Sequence, residues 1–195
     1  MLSLNHPLKG QFMKIHLGLS VLALCSLSAC ADEFSLYSSE IKTGVALTET
    51  SLFNGFGCTG KNRSPSLTWS GAPAGTKSFA ITAFDPDAPT GSGWWHWTVV
   101  NIPVSVDALP ADAGNQDGSK LPAGAVHGRN DFGYAGFGGA CPPKGDKPHN
   151  YHFRVWALKV DHLPIDSNAS GALVGFMLNA NKLATAEIIP VYSHE

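Results

Sequence analysis

The stretch SFAITAFDPDAPTGSGWWHWTVVNI, Ser78–Ile102, decides how this chain folds. Its two ends, Ser78–Asp85 and His96–Ile102, are rich in the β-branched and aromatic residues that fit a pleated surface. Between them, Asp85-Pro86-Asp87-Ala88-Pro89 and the following residues to Gly93 read as a turn. Each proline fixes its own φ near about −65° and drives the residue before it into an extended conformation. Both carboxylates are therefore expected on a stiff segment at a strand end. Three of the five tryptophans fall within Trp94-Trp95-His96-Trp97. Strand alternation would place His96 with Thr98, Val100 and Ile102 on one face, and Trp95 with Trp97 on the other.

Outward from this hairpin, Ser66–Trp69 is a short strand and His149–Val160 the longest, with turns at Ser70-Gly71-Ala72-Pro73 and Pro110–Gly118. One helix is expected near the C-terminus. Asp166-Ser167-Asn168 offers N-cap chemistry, and Ala172, Leu173, Phe176, Met177 and Ala180 follow at helical spacing. Leu183–Tyr192 turns β-like again, with Pro190 marking an edge. The fold class is mainly β, mostly antiparallel sheet with one or two short helices. Composition agrees: 195 residues contain only 14% charged side chains but 21 Gly and 13 Pro, which favours turns over long charged helices. A net charge of −2 excludes a polycationic nucleic-acid binder, and 10% aromatics exclude disorder.

Residues 1–31 read as a secretory signal peptide: Lys14 precedes an apolar run, Ile15–Leu27, that is shorter than the roughly twenty residues a membrane-spanning helix needs. Either Met1 or Met13 can serve as the start. Ala29-Cys30-Ala31 fits a cleavage site that frees a soluble chain, whereas Leu27-Ser28-Ala29-Cys30 resembles a lipobox that would retain a lipid-anchored one. Residues 32–195 then form a single exported, periplasmic domain. Cys25 and Cys30 belong to the leader, which leaves Cys58 and Cys141 either bridged or as two buried thiols; export favours the bridge. The two lie far apart along the chain, so a bridge would contribute about 4–5 kcal/mol in the chain-entropy picture. Neither belongs to a C-x-x-C pair, so no metal site is indicated.

Gly55-Phe56-Gly57-Cys58-Thr59-Gly60 imitates the dinucleotide pattern, but Asn62-Arg63-Ser64-Pro65 follows it where a helix N-terminus would have to stand, so a turn is the reading. The stronger signal is a second histidine. His149 opens the long strand after the Gly-rich loop Gly133–Gly145, and Tyr151 points to the same face. Gly136, Gly138 and Gly139 are expected to let the backbone approach a ligand.

These residues carry a family resemblance. Asp85-Pro86-Asp87-Ala88-Pro89, His96-Trp97 leading into Val99-Val100-Asn101, and Gly139-Ala140-Cys141-Pro142-Pro143-Lys144-Gly145 running to His149-Asn150-Tyr151 resemble the phosphatidylethanolamine-binding protein family, in its bacterial Raf-kinase-inhibitor-like branch. Ser64–Trp69 and Leu183–Glu187 add weaker matches. The resemblance implies a large antiparallel sheet packed with a smaller one, and a surface cavity that takes phosphate, acetate or a phosphorylated headgroup. It assigns ligand binding to Asp85, Asp87, His96, Cys141, His149 and Tyr151. Two departures stand out: the family's arginine after the loop histidine is Asn150, and a loop glycine aligns with Cys141. Asp85 is expected to orient a histidine whose other N–H meets the ligand.

The function expected is that of an extracytoplasmic binding or modulator protein for a small anion. The alternatives are an inhibitor of an extracytoplasmic protein partner such as a protease, and a hydrolase using Asp85, Asp87, His96 and His149. No activated nucleophile is identifiable, so an enzyme is not expected. No cofactor and no nucleic-acid partner are implied, while homodimers occur among the related bacterial proteins.

Overall fold

The computed structural model describes residues 33–195, together with Leu2; the leader expected over residues 1–31, with Cys25 and Cys30, lies outside the described residues. Twelve strands follow one another as β1 (Ser35–Tyr37), β2 (Asn54–Gly55), β3 (Cys58–Thr59), β4 (Leu67–Ser70), β5 (Ser78–Asp85), β6 (Trp94–Pro103), β7 (Ala108–Leu109), β8 (Val126–His127), β9 (His149–Asn150), β10 (His152–Leu158), β11 (Lys182–Ile188) and β12 (Val191–Tyr192). One α-helix among the described residues, α1 (Gly171–Asn181), stands between β10 and β11. The large sheet has the order β11-β10-β5-β6-β8 and is antiparallel throughout. A smaller sheet, β1-β4-β7, faces it, and the pairs β9-β12 and β2-β3 complete the set.

The large sheet is covered on both faces, which explains why β5 is an almost continuous apolar run. On one side Ile81, Ala83, Trp97, Val99 and Phe153 pack against Leu67, Trp69 and Leu109 of the small sheet. On the other, Ala80, Val100, Trp156 and Leu158 pack against Val174 and Leu178 of α1. Each such side chain removed from water contributes about 1.5–3 kcal/mol.

Simple alternation fails along β6. Phe84 pairs with Trp95 and Ala83 with Trp97, so one step of β5 faces two steps of β6 and His96 is the extra residue of a β-bulge. Trp95 and Trp97 therefore do not share a face: Trp95 meets Gly171 and Gly175 of α1, while Trp97 lies in the core between the sheets. A second shift falls between the pairs Phe79–Ile102 and Ile81–Val99, where Asn101 takes a left-handed φ of 61°. Its amide locks that kink, donating from Nδ2 to Leu163 O at 3.1 Å while Oδ1 accepts from Leu163 N at 2.7 Å. As a result Val100 joins the helix side and Ile102 the other core, not one common face with His96.

Two further expectations are corrected. The segment His149–Val160 is not one strand. It breaks at Tyr151, whose N–H donates to Pro190 O at 2.9 Å, so β9 pairs with β12 while β10 joins the large sheet. The helix is capped by Ser170, which accepts from Leu173 N, and not by Asp166–Asn168; Asp166 is occupied in its own turn, accepting from Asn168 N at 2.8 Å.

Candidate functional site

The site begins where β5 ends. Asp85 is buried, and one carboxylate oxygen, Oδ1, accepts from the N–H groups of Asp87 and Ala88 at 2.8 and 3.1 Å, closing the proline turn. The other, Oδ2, lies 2.8 Å from Nδ1 of His149, which is 1% exposed. A carboxylate only accepts, so Nδ1–H of His149 donates to it and the ring is fixed with Nε2 as its other pole. That nitrogen has no hydrogen-bond partner among the described residues, with Asp146 Oδ2 3.5 Å away.

His96 reaches the same cavity because the bulge re-aims it. Its Nδ1–H donates to Gly138 O at 2.7 Å, while Gly138 N–H donates to His96 O at 2.8 Å, so the Gly-rich loop clamps the strand. Burial pushes the His96 pKa down, against smaller upward pulls from the Gly138 carbonyl and Asp85, so the ring is neutral near pH 7 and Nε2 carries a lone pair. Tyr151 packs 5.2 Å from the His96 ring. Burial first, and then the charge on Asp85, pushes its phenol pKa up, so the hydroxyl keeps its proton. That buried hydroxyl is also without a partner.

These groups floor a cavity of about 210 Å³ whose lining contains no Lys or Arg. Its walls include Phe56, Trp94, Phe132, Pro142 and Pro143. Phe132 organises the aromatic side: it stacks 4.0 Å from Phe53, meets Trp94 edge-on at 5.3 Å and lies 5.8 Å from Phe56. Trp94 Nε1–H is a third buried polar atom without a partner among the described residues.

Of the six residues singled out for ligand binding, Asp85, His96, Cys141, His149 and Tyr151 line this cavity and Asp87 does not. Asp87 instead holds the neighbouring strand in place. Its Oδ2 accepts from both the backbone N and Nδ2 of Asn150 at 2.9 Å, and its Oδ1 from Lys147 Nζ at 3.1 Å. Asn150, standing where the family has arginine, thus ties β9 to the proline turn. The Asn150 side-chain bond, followed by its backbone bond, lowers the Asp87 pKa from 3.8 to about 2. Asp87→Ala should therefore cost about 2 kcal/mol in urea unfolding at pH 7. Because the folded-state pKa is the depressed one, this stabilisation is present above about pH 4 and disappears as pH falls through about 2. A difference between wild type and variant that does not shrink over that range would contradict the assignment.

The loop glycines serve another purpose than the one expected of them. A Cβ at Gly138 would strike the Phe132 ring, one at Gly139 the backbone of Ser51–Phe53, and one at Gly136 would come 2.8 Å from Gly114 O. They allow the chain to pack against itself. Phe56 and Gly57 form the two-residue turn of the β2–β3 hairpin, with φ of 54° and 92°, and no helix follows. Cys58 and Cys141 are bridged, with Cα atoms 6.0 Å apart, which places that hairpin on the cavity rim. Phe56, Trp94 and Phe132 were not assigned to the site from the sequence; only the cysteine pairing carries a signal, since it brings Phe56 beside Cys141.

The family model for phosphatidylethanolamine-binding protein matches residues 38–193, with the bulged strand, the proline turn and the loop histidine all inside the match. The chain belongs to the phosphatidylethanolamine-binding protein family. Among its relatives, the UPF0098 protein YbcL of Escherichia coli (strain K12) is 70% identical over 180 residues, covering 92% of this chain and 98% of YbcL. The UPF0098 protein YbhB of the same organism is 47% identical over 158 residues, covering 81% and 99%. The crystal structure of E. coli YbcL, described as a new member of the mammalian PEBP family, superposes with a TM-score of 0.83 at 73% identity, covering 84% of this chain and 99% of that one. The family is named for binding and not for a reaction, in keeping with a chain not expected to be an enzyme.

Proposed function

We propose that this member of the phosphatidylethanolamine-binding protein family is an exported binding protein whose cavity holds a small oxyanion or a phosphorylated headgroup. One observation carries the reading: three buried polar atoms, His149 Nε2, Tyr151 Oη and Trp94 Nε1, lack partners among the described residues and all belong to the cavity wall. A buried polar group without a partner costs about 1–3 kcal/mol, so a guest rich in acceptor oxygens would relieve three such penalties at once. With no Lys or Arg in the lining, the counter-charge must come from His149, whose ring donates from both nitrogens only as an imidazolium. The neutral His96 offers an acceptor, which suits an oxyanion that keeps one hydroxyl, such as a phosphate monoester monoanion. The apolar walls leave room for a short organic substituent. The expected leader and the cysteine bridge support export.

Sulfate is the informative probe, because its charge is constant near neutral pH. Around His149 stand the carboxyl groups of Asp85 and Asp146, and the neutral His96 ring and the protonated Tyr151 hydroxyl line the same cavity. Sulfate affinity measured by calorimetry should fall about tenfold or more in His149→Gln, whose amide supplies no counter-charge. A His149→Gln variant that binds sulfate as wild type does would remove the imidazolium from the account.

A further inference from the structure

We propose that the bridged cysteines and His194 form a latent site for a thiophilic divalent cation, zinc above all, which becomes available when the disulfide is reduced. The site shares Cys141 with the cavity wall, adjoins a separate hollow and does not depend on what the cavity binds.

The ligand atoms are already gathered. Cys58 Sγ, Cys141 Sγ and a nitrogen of His194 all lie within 4.8 Å of one another, and His194 Nδ1 is 3.8 Å from Cys58 Sγ. Tetrahedral zinc, with bonds of about 2.3 Å to sulfur and about 2.0 Å to nitrogen, needs its ligand atoms roughly 3.6 Å apart. The nitrogen is therefore close to its place, and the two sulfurs need only separate by side-chain rotation between Cα atoms 6.0 Å apart.

The backbone around all three residues is held by bonds other than the disulfide. Cys58 sits in the β2–β3 pair, opposite Gly55. Beside Cys141, Ala140 exchanges main-chain bonds with Phe53 and Ser51, at 2.9 and 3.1 Å. His194 O accepts from Gly145 N at 2.9 Å, directly after β12. Breaking the bridge thus leaves the donors near one another. A small polar hollow of about 100 Å³, lined by Glu49, Cys58, Thr59 and His194 among others, adjoins the sulfur and leaves a fourth position for water or the Glu49 carboxylate.

The chemistry balances with a dithiol reductant: the S–S bond takes two electrons and two protons to give two thiols, and the dithiol becomes a disulfide. On binding the cation each thiol releases one proton to solvent and becomes a thiolate ligand. Two thiolates and one imidazole form a soft donor set that favours zinc over calcium or magnesium.

The test is titration of the full mature chain with Co²⁺, before and after reduction by a phosphine that is then removed under anaerobic conditions. One equivalent should bind to reduced protein, with thiolate-to-cobalt charge-transfer absorption that Zn²⁺ abolishes by displacement, while oxidised protein shows no such band. His194→Ala, whose oxidised form should keep wild-type thermal stability, should bind Co²⁺ at least tenfold more weakly after reduction. No charge-transfer band in reduced wild type overturns the proposal. So does a His194→Ala chain that titrates like wild type, which is also the result if reduction merely unfolds the chain and frees two cysteines.

Discussion

Asp85→Ala should weaken sulfate binding at pH 6 by about 30- to 100-fold, the equivalent of roughly 2–3 kcal/mol for a charged hydrogen bond inside a protein. The loss has two sources. The variant removes the acceptor 2.8 Å from His149 Nδ1, so the ring is no longer fixed and its charged form loses its partner. It also leaves the amides of Asp87 and Ala88 without the oxygen that closes the turn, so thermal stability should fall as well. Asp85→Asn separates these effects. The amide oxygen can still accept from the turn, while its NH₂ faces Nδ1 and demands a lone pair there. The proton then resides on Nε2, and His149 donates to the anion as a neutral ring. Asp85→Asn should therefore keep more thermal stability than Asp85→Ala while still binding sulfate about tenfold more weakly than wild type. An Asp85→Asn variant that binds sulfate as tightly as wild type would show that Asp85 does not control which nitrogen carries the proton.

Cys58→Ser combined with Cys141→Ser should cost about 2–5 kcal/mol of stability and lower Tm by about 10 °C for a domain of this size. The bridge spans 83 positions, so its removal restores much conformational freedom to the unfolded chain. The effect on sulfate affinity should be smaller, under about tenfold. Cys141 lines the cavity, but Ala140 beside it stays bonded to Ser51 and Phe53, so the rim keeps its course. The paired substitution matters, because one serine alone leaves a reactive thiol. Calorimetric melting and sulfate titration on the same sample read both quantities. A Tm within about 2 °C of wild type would mean that the hairpin is anchored by its backbone contacts alone.

Much of the fold could be read from residue patterns because its central hairpin is locally consistent. Ser78–Asp85 and Trp94–Pro103 are β-forming runs joined by a proline turn, and they became neighbouring strands of the large sheet. What patterns miss is register. A bulge at His96 and a left-handed Asn101 depend on partners far along the chain, Gly138 and Leu163, so two-residue alternation misassigned Trp95, Trp97, Val100 and Ile102. The break at Tyr151 has the same origin, since Pro190 supplies the acceptor. At the site, Asp85, His96, His149 and Tyr151 were recognisable from motif and resemblance. Asp87 was placed among them because it shares the same short motif, yet it stands two positions beyond Asp85 in the proline turn and its carboxylate goes to Asn150 and Lys147 instead. Aromatic walls were expected, but their residues could not be assigned, because Phe56, Trp94 and Phe132 come from three separate segments without a common spacing.

The pairing of β9 with β12 has a temporal consequence. Tyr192 lies opposite His149, so the imidazole that floors the cavity is steadied by residues made more than forty positions later. A nascent chain can close the β5–β6 hairpin early, since that contact is local. It cannot seat His149 until Val191 and Tyr192 emerge. The seating of His149 is thereby postponed until β12 has been made, and a shorter chain carries the turn without the grip.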